Sequence, residues 1–243
     1  MGFHPAEIEV LEKLGGERVL EVGSGKGYTA ARMAELFPLS VGVEPDLEAL
    51  FDPKAQDNYS ADNFLVCGAC GDGLPFPDNT FDGAVSHWAV HHYRFPIQVL
   101  AEIYRVLKFG GWLYLADGVR VPPEQMTTKQ NGHRLFHIAA IAVDMRNKIH
   151  HFPLYDADTL GELVRRAGFE IENVDIITAE NPEDEALESE YVATYIDRLE
   201  RLRTLAGGRD DLERKIDAAI EHIKNFGIRM DPFAMVIARK RKE

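Results

Sequence analysis

The chain has 243 residues, 45% hydrophobic and 28% charged, with 40 acidic against 27 basic side chains and a formal net charge of −13. That balance describes a globular chain able to bury one substantial core, and it disfavours a nucleic-acid partner, which needs a cationic surface. No apolar run reaches the length of a membrane span, and residues 1–7 lack the basic start and apolar centre of a secretory signal, so the expectation is a cytoplasmic enzyme.

In chain order, Ile8, Leu11 and Leu14 predict a short amphipathic helix from Pro5, closed by Gly15-Gly16. Val19, Leu20 and Val22 then run as a strand into Gly23-Ser24-Gly25-Lys26-Gly27, and residues 28–36 open a helical pattern. Strand, glycine turn and helix in that order put bare backbone and a positive helix end at the carboxyl edge of a strand. By itself such a turn serves a nucleotide, a phosphate or nothing. Residues 39–43 predict a second buried strand that ends at Glu44-Pro45-Asp46. Glu44 stands 21 positions after Gly23, where an acid at a strand tip accepts hydrogen bonds from the two hydroxyls of a ribose. Capping the following helix needs only Asp46.

Residues 64–68 predict a third strand, leading through Cys67-Gly68-Ala69-Cys70 into a loop at 71–82. Cysteines so spaced on extended chain have Cα atoms about 10 Å apart, too far for a disulfide, so packed thiols are expected. Residues 83–86 predict strand four. An amphipathic helix at 97–107 is broken by Lys108-Phe109-Gly110-Gly111, and strand five follows at 112–116. Short apolar strands alternating with helices predict a parallel sheet with right-handed crossovers.

Residues 127–152 read as a long helix with Leu135, Ile138, Ala142, Met145 and Ile149 as its packed face. His133, His137, Ile141, Asp144 and Lys148 fall along another. His133, His137 and Asp144 have a spacing that can share a metal, or supply one histidine as a general base; ordinary surface histidines have it too. Between residues 178 and 232 two helical stripes stand out: Leu187, Tyr191, Tyr195, Leu199 and Leu202, then Leu212, Ile216, Ile220 and Ile223. The acids clustered around residues 180–200 predict a solvated face.

Taken together, Val19-Leu20-Glu21-Val22-Gly23-Ser24-Gly25-Lys26-Gly27, Glu44, the loop Gly71-Asp72-Gly73-Leu74-Pro75-Phe76-Pro77-Asp78-Asn79-Thr80-Phe81-Asp82, His91-His92 and Arg105-Val106-Leu107-Lys108-Phe109-Gly110-Gly111 carry a resemblance. In order and spacing they resemble the class I S-adenosylmethionine-dependent methyltransferases of the type 11 group, which also includes the quinone-ring methylases. The likeness is strong over residues 18–117 and weaker over 156–169; Phe109 stands where that family usually has proline. It implies a Rossmann-like α/β fold, a seven-stranded sheet with its last strand antiparallel and helices on both faces, for which residues 170–178 and 232–239 are the candidate strands six and seven. It implies a single methyltransferase domain over 1–243, with helical insertions at about 120–152 and 181–228 as a cap on the active site.

The same resemblance implies S-adenosylmethionine as donor, S-adenosylhomocysteine as product and in-line transfer to a small-molecule acceptor, with positioning as the main source of rate. Gly23, Ser24, Gly25 and Gly27 would approach the cofactor through backbone, and Glu21 would hold its ammonium. Glu44 and Pro45 would meet the ribose. Asp72 would bind the adenine amino group, with Gly73 and Leu74 bordering the ring, and His87 would offer main chain beside the methionyl group. His91 and His137 are the candidate bases, Trp88 and Tyr93 candidate walls of an acceptor pocket, and no metal is implied. The acceptor, the methylated atom and the oligomeric state stay open. Two other readings compete. A dinucleotide-dependent oxidoreductase expects Gly-x-Gly-x-x-Gly, but Tyr28 occupies its last position. A non-catalytic domain that keeps the pocket for regulation is disfavoured by the complete set of pocket residues.

Overall fold

The computed structural model describes residues 2–178, 187 and 189–241. The chain divides into two compact units, one made of Met1–Asp117, Ala157–Ile176 and Ala234–Glu243, the other of Gly118–Asp156 and Ile177–Phe233. Its strands are β1 (Arg18–Val22), β2 (Leu39–Val43), β3 (Phe64–Cys67), β4 (Phe81–His87), β5 (Leu107–Gly118), β6 (Glu170–Ile177) and β7 (Phe233–Arg239). Its helices are α1 (Pro5–Leu14), α2 (Ala30–Leu36), α3 (Leu47–Phe51), α4 (Pro53–Asn58), α5 (Pro96–Val106), α6 (Thr128–Arg146), α7 (Ala157–Arg166), α8 (Glu190–Ala206) and α9 (Asp210–Phe226). Among the described residues no helix is long and apolar enough to cross a membrane.

The first unit holds a seven-stranded sheet in the order β3-β2-β1-β4-β5-β7-β6. β1 pairs in parallel with β2 and β4, so that Leu20 stands opposite Val41 on one side and Ala84 on the other. β7 runs antiparallel; Gly110 N–H donates to Lys240 O and Lys240 N–H to Gly111 O. Helices cover both faces, which is why the central strands read as continuous apolar runs rather than alternating ones. Val19, Leu20, Ala84, Val85, Leu113 and Leu115 are fully buried. β5 begins at Leu107 rather than at residue 112: Gly110 takes a φ of 75°, and the pairing with β4 shifts register between Phe81 and Gly83. Cys67 and Cys70 are free thiols, and Cys70 is exposed rather than packed.

A buried carboxylate docks α1. Glu7, in the first turn, closes a capping box with His4 and accepts the Tyr114 hydroxyl from β5 at 2.6 Å. His87 Nε2 lies 3.3 Å from the same carboxylate, without hydrogen-bond alignment.

In the second unit α6, α8 and α9 share one core that includes Phe136, Val143, Tyr195, Leu199, Ile216 and Ile223. The stripes expected on α8 and α9 are the ones buried there, apart from Leu187, which precedes α8 and is exposed. The expected packed face of α6 holds only in part: Leu135 and Ala142 pack against this core, but the centre of the buried face lies elsewhere. Gly132, His133, Phe136, Ala139, Ala140 and Val143 are buried, whereas Ile138, Met145 and Ile149 are exposed. Small residues decide it: a Cβ on Gly132 would lie 2.7 Å from Gly227 O, so the backbones meet too closely for a row of branched side chains. The helix also ends at Arg146, short of residue 152. The expected acidic face at residues 180–200 falls partly outside the described residues.

Candidate functional site

The carboxyl edge of β1 and β2 gathers most of the residues singled out above. Glu21, next to last in β1, is almost wholly buried. One of its oxygens accepts the Thr29 hydroxyl, while Oε2 has no hydrogen-bond partner among the described residues. Thr29 stands at the N-cap of α2 yet makes no cap bond, because its hydroxyl is turned to Glu21. Burial pushes the Glu21 carboxyl above its ordinary range, and the Thr29 hydrogen bond and the field of His87 only partly offset it. A buried polar atom left unpaired costs about 1–3 kcal/mol, more if charged. The arrangement is that of a carboxylate matched to a cation.

The glycine turn is tied down from inside. Gly23 and Ser24 N–H groups donate to Val43 O at 2.8 and 3.1 Å, and Gly27 N–H donates to Ser24 O at 2.9 Å. Gly25 N–H donates to Glu44 Oε2 at 2.9 Å. Amides engaged in this way leave little of the open nest a pyrophosphate needs, which counts against the dinucleotide reading. Glu44 also accepts the Asp46 N–H at 3.0 Å. Burial raises its carboxyl above the ordinary value, and the two backbone donors only partly offset that. A carboxylate has about four lone-pair positions, so Glu44 keeps capacity for ribose hydroxyls. Pro45 beside it is exposed.

Gly25 and Gly27 are glycines for different reasons, although φ is positive at both, 55° and 72°. A Cβ on Gly27 would lie 2.7 Å from the Tyr59 ring, whereas one on Gly25 would meet nothing within 4 Å. The Tyr59 hydroxyl in turn reaches Gly25 O at 2.8 Å and Ser24 Oγ at 3.0 Å, and burial pushes its pKa up to about 12. So Gly27 makes room for the clamp, and Gly25 faces open space. That space is a cavity of about 310 Å³ lined by Glu21, Gly23, Ser24, Thr29, His87 and Trp88 among others. Trp88 holds a φ of 53°, rare for a bulky residue and typical of functional turns. A larger open groove of about 720 Å³, between the Gly110 turn and the ends of β6 and β7, has its charges already paired, Arg239 with Glu172 and Arg241 with Glu170.

The loop after β3 presents Asp72 and Gly73 to solvent. Leu74 is buried; its N–H donates to Glu102 and its carbonyl accepts from Arg105. Leu74 can therefore border a ring by side chain but has no backbone donor to spare. Arg105 also donates to Phe76 O and Asp78, which fixes this loop against α5.

Comparison with known proteins agrees with this geometry. A family profile described as "Methyltransferase domain" matches residues 20–115. Residues 20–115 are a methyltransferase domain of the class I, type 11 family. The chain is 33% identical to the biotin biosynthesis bifunctional protein BioHC of Teredinibacter turnerae, over 42% of this chain and 19% of that protein. It is 28% identical to the tRNA U34 carboxymethyltransferase of Desulforapulum autotrophicum, over 78% of this chain and 57% of that one. It therefore spans from about a fifth to just over half of these curated relatives. Among solved structures, the [4+2]-cyclase SpnF superposes with a TM-score of 0.65 at 21% identity, covering 98% of this chain and 82% of that one, a likeness of fold.

S-adenosylmethionine is the cofactor this methyltransferase domain implies, and the residues present fit it. The orphaned oxygen of Glu21 matches an ammonium, the bare face of Gly25 leaves room for the ligand, and Glu44 has acceptor capacity for a diol. On the acceptor side, His91 is buried beyond β4. Its Nδ1 lies 2.6 Å from one oxygen of Asp117 and its N–H donates to the other at 3.0 Å. The two contacts with Asp117 fix the orientation of the ring. Tyr93 is a brace rather than a pocket wall, donating to Val22 O at 2.9 Å and sharing a hydrogen bond with Ser86.

His137 belongs to the other compact unit. There its ring sits edge-on to His133 and His151, at 4.6 and 5.5 Å between centroids. Of the residues offered for a shared metal, Asp144 Oδ2 lies 2.7 Å from His151 Nδ1 and His133 Nδ1 lies 3.2 Å from Asp231 Oδ2. Sequence reasoning missed Thr29, Tyr59 and Asp117. Thr29, at the start of a helix whose cap it does not serve, carried a faint signal. Tyr59 and Asp117 carried none.

Proposed function

We propose that the chain is an S-adenosylmethionine-dependent methyltransferase that transfers a methyl group to a small-molecule acceptor and leaves S-adenosylhomocysteine. The observation that carries this reading is the buried, unpartnered Oε2 of Glu21 on the wall of a cavity whose floor is the bare Gly25 turn. When bound, the cofactor supplies a methyl group on a sulfonium, already electrophilic. What the protein adds is position. Glu21 takes the ammonium, Glu44 and Pro45 hold the ribose side, and Asp72 with Gly73 and Leu74 borders the adenine. Gly23, Ser24, Gly25 and Gly27 shape the turn, with His87 beside it. His91, oriented by Asp117, removes the acceptor's proton; His137 is the second candidate for that task. The net charge of −13 favours a small acceptor over a nucleic acid, and the reading includes a cytoplasmic location.

Calorimetry with S-adenosylmethionine and S-adenosylhomocysteine tests it. Both should bind, and Glu44→Ala should weaken them by about 1.5–3 kcal/mol, the scale of a hydrogen bond to a charged group. His91→Gln should spare that binding and lose turnover with its pH dependence. No heat with either compound would end the reading.

A further inference from the structure

α6 carries two apolar stripes, and only one of them is used. Phe136, Ala139, Ala140 and Val143 enter the three-helix core. On the opposite side Ile138 (37% exposed) and Met145 (67%) are open, and the stripe continues past the helix end with Ile149 (50%) and Phe152 (38%). Ile138, Ile141 and Met145 have the i, i+3, i+7 spacing of one helical face.

The exposed charges that residues 128–152 bring beside this stripe are of one sign. Arg134, Arg146 and Lys148 are all exposed beside it, and among the described residues neither Arg146 nor Lys148 has an acidic partner. Asp144, the single acid of α6, is taken by His151 at 2.7 Å. In a chain of net charge −13 such a local excess of cations is unusual. By contrast, the exposed Leu47 and Phe51 adjoin Asp46, Glu48 and Asp52 in sequence.

The helix end adds an independent feature. Ile149 N–H donates to Asp144 O at 2.9 Å and Lys148 N–H to Met145 O at 3.2 Å, the paired bonds of a Schellman ending. Lys148 therefore sits at the left-handed position, φ 63°, which glycine ordinarily takes. A lysine there places a cation at the edge of the stripe.

We propose that this face of α6 docks on the surface of an anionic phospholipid bilayer. Ile138, Met145, Ile149 and Phe152 enter the boundary between headgroups and acyl chains, and Arg134, Arg146 and Lys148 meet lipid phosphates. An apolar stripe edged by cations is the composition of a helix that lies in the interface plane. A second copy of this chain would bring a matching set of cations against these, which the charge pattern opposes.

Co-sedimentation of the whole chain with vesicles tests the proposal without reference to methyl transfer. Vesicles of phosphatidylcholine with roughly 30 mol% phosphatidylglycerol carry a negative surface; pure phosphatidylcholine is the control. The protein should partition onto the anionic vesicles and leave them as salt rises from about 0.05 to 0.5 M, where screening shortens its reach. Arg146→Glu with Lys148→Glu should lower partitioning by more than tenfold, since each cation contributes roughly fivefold at such a surface. Ile138→Asp with Met145→Asp should abolish it. Circular dichroism checks that each variant is folded. Equal, weak partitioning on both vesicle types overturns the proposal. So does light scattering that finds a dimer split by Ile138→Asp with no vesicle binding, which assigns the stripe to a second copy.

Discussion

In the function proposed above, Glu21 contributes to stability and to binding with opposite signs. Its carboxyl is raised above the ordinary value of 4.5, first by burial, with Thr29 and His87 acting against that. A group whose folded pKa is raised contributes stability that is fully present below its unfolded value and lost as pH rises through the folded one. At neutral pH the ionised form is thus a burden on the empty protein, with Oε2 unpaired. An ammonium beside it removes that burden and lowers its pKa, so binding in the acid range releases a proton. Glu21→Gln should therefore raise the melting temperature of the empty protein near pH 7 and weaken S-adenosylmethionine by about 1.5–3 kcal/mol, or roughly 10- to 150-fold. Scanning calorimetry and titration of the same variant check both halves. A melting temperature that falls along with affinity would mean the carboxylate serves the fold alone. This trade was visible only in part beforehand: an acid before a glycine turn suggests a site, but its orphaned oxygen depends on Thr29, eight residues away, giving up its cap.

At the scale of elements, α1 shows the reverse case. Burial alone would raise Glu7, but the contact with His87 and the hydrogen bonds from Tyr114 and His4 outweigh it and hold its carboxyl below the ordinary 4.5. A depressed carboxyl adds stability present above its unfolded value and lost as pH falls through the folded one. Urea unfolding of the native chain should therefore weaken as pH falls below about 4.5 in a way that Glu7→Gln does not, while the variant is less stable at pH 7 by about 1–3 kcal/mol. Parallel pH profiles for the two would remove Glu7 as the tie between α1 and β5. The amphipathic pattern of α1 was legible, and so were β1, β2, β4 and β5, because buried parallel strands announce themselves as apolar runs between turns; the mostly exposed β6 and the antiparallel β7 were candidates through the family resemblance. The faces of α6 were not. Apolar residues surround that helix, so a 3.6-residue period selects neither side. The choice falls to α8 and α9, far along the chain, and to Gly132 at its contact with Gly227. Dispersed braces were equally hidden: Tyr59 reaches Gly25 and Asp117 reaches His91 across sequence gaps that carry no pattern.

The whole sheet is finished by the last strand made. β7 lies between β5 and β6, so β6 has no partner in the sheet until residues 233–239 arrive. Pairing across so long a separation is late and slow, since loop closure must precede any contact that rewards it. The lock is Lys240. Its ammonium is buried and donates to Asn79 Oδ1 at 2.9 Å, Leu107 O at 2.8 Å and Arg105 O at 3.3 Å. Its backbone meanwhile exchanges hydrogen bonds with Gly110 and Gly111. Three acceptors from two earlier segments thus converge on one cation at the end of the chain. Lys240→Ala removes all three donations and leaves carbonyl groups unpaired, which should cost about 2–4 kcal/mol in urea unfolding. Lys13→Ala, an exposed control near the start of the chain, should move the midpoint very little. Because the lock joins elements that meet late, the loss should appear mainly as faster unfolding with the folding rate nearly unchanged. Slower refolding instead would place β7 in the folding nucleus and reverse the order of assembly argued from the strand sequence.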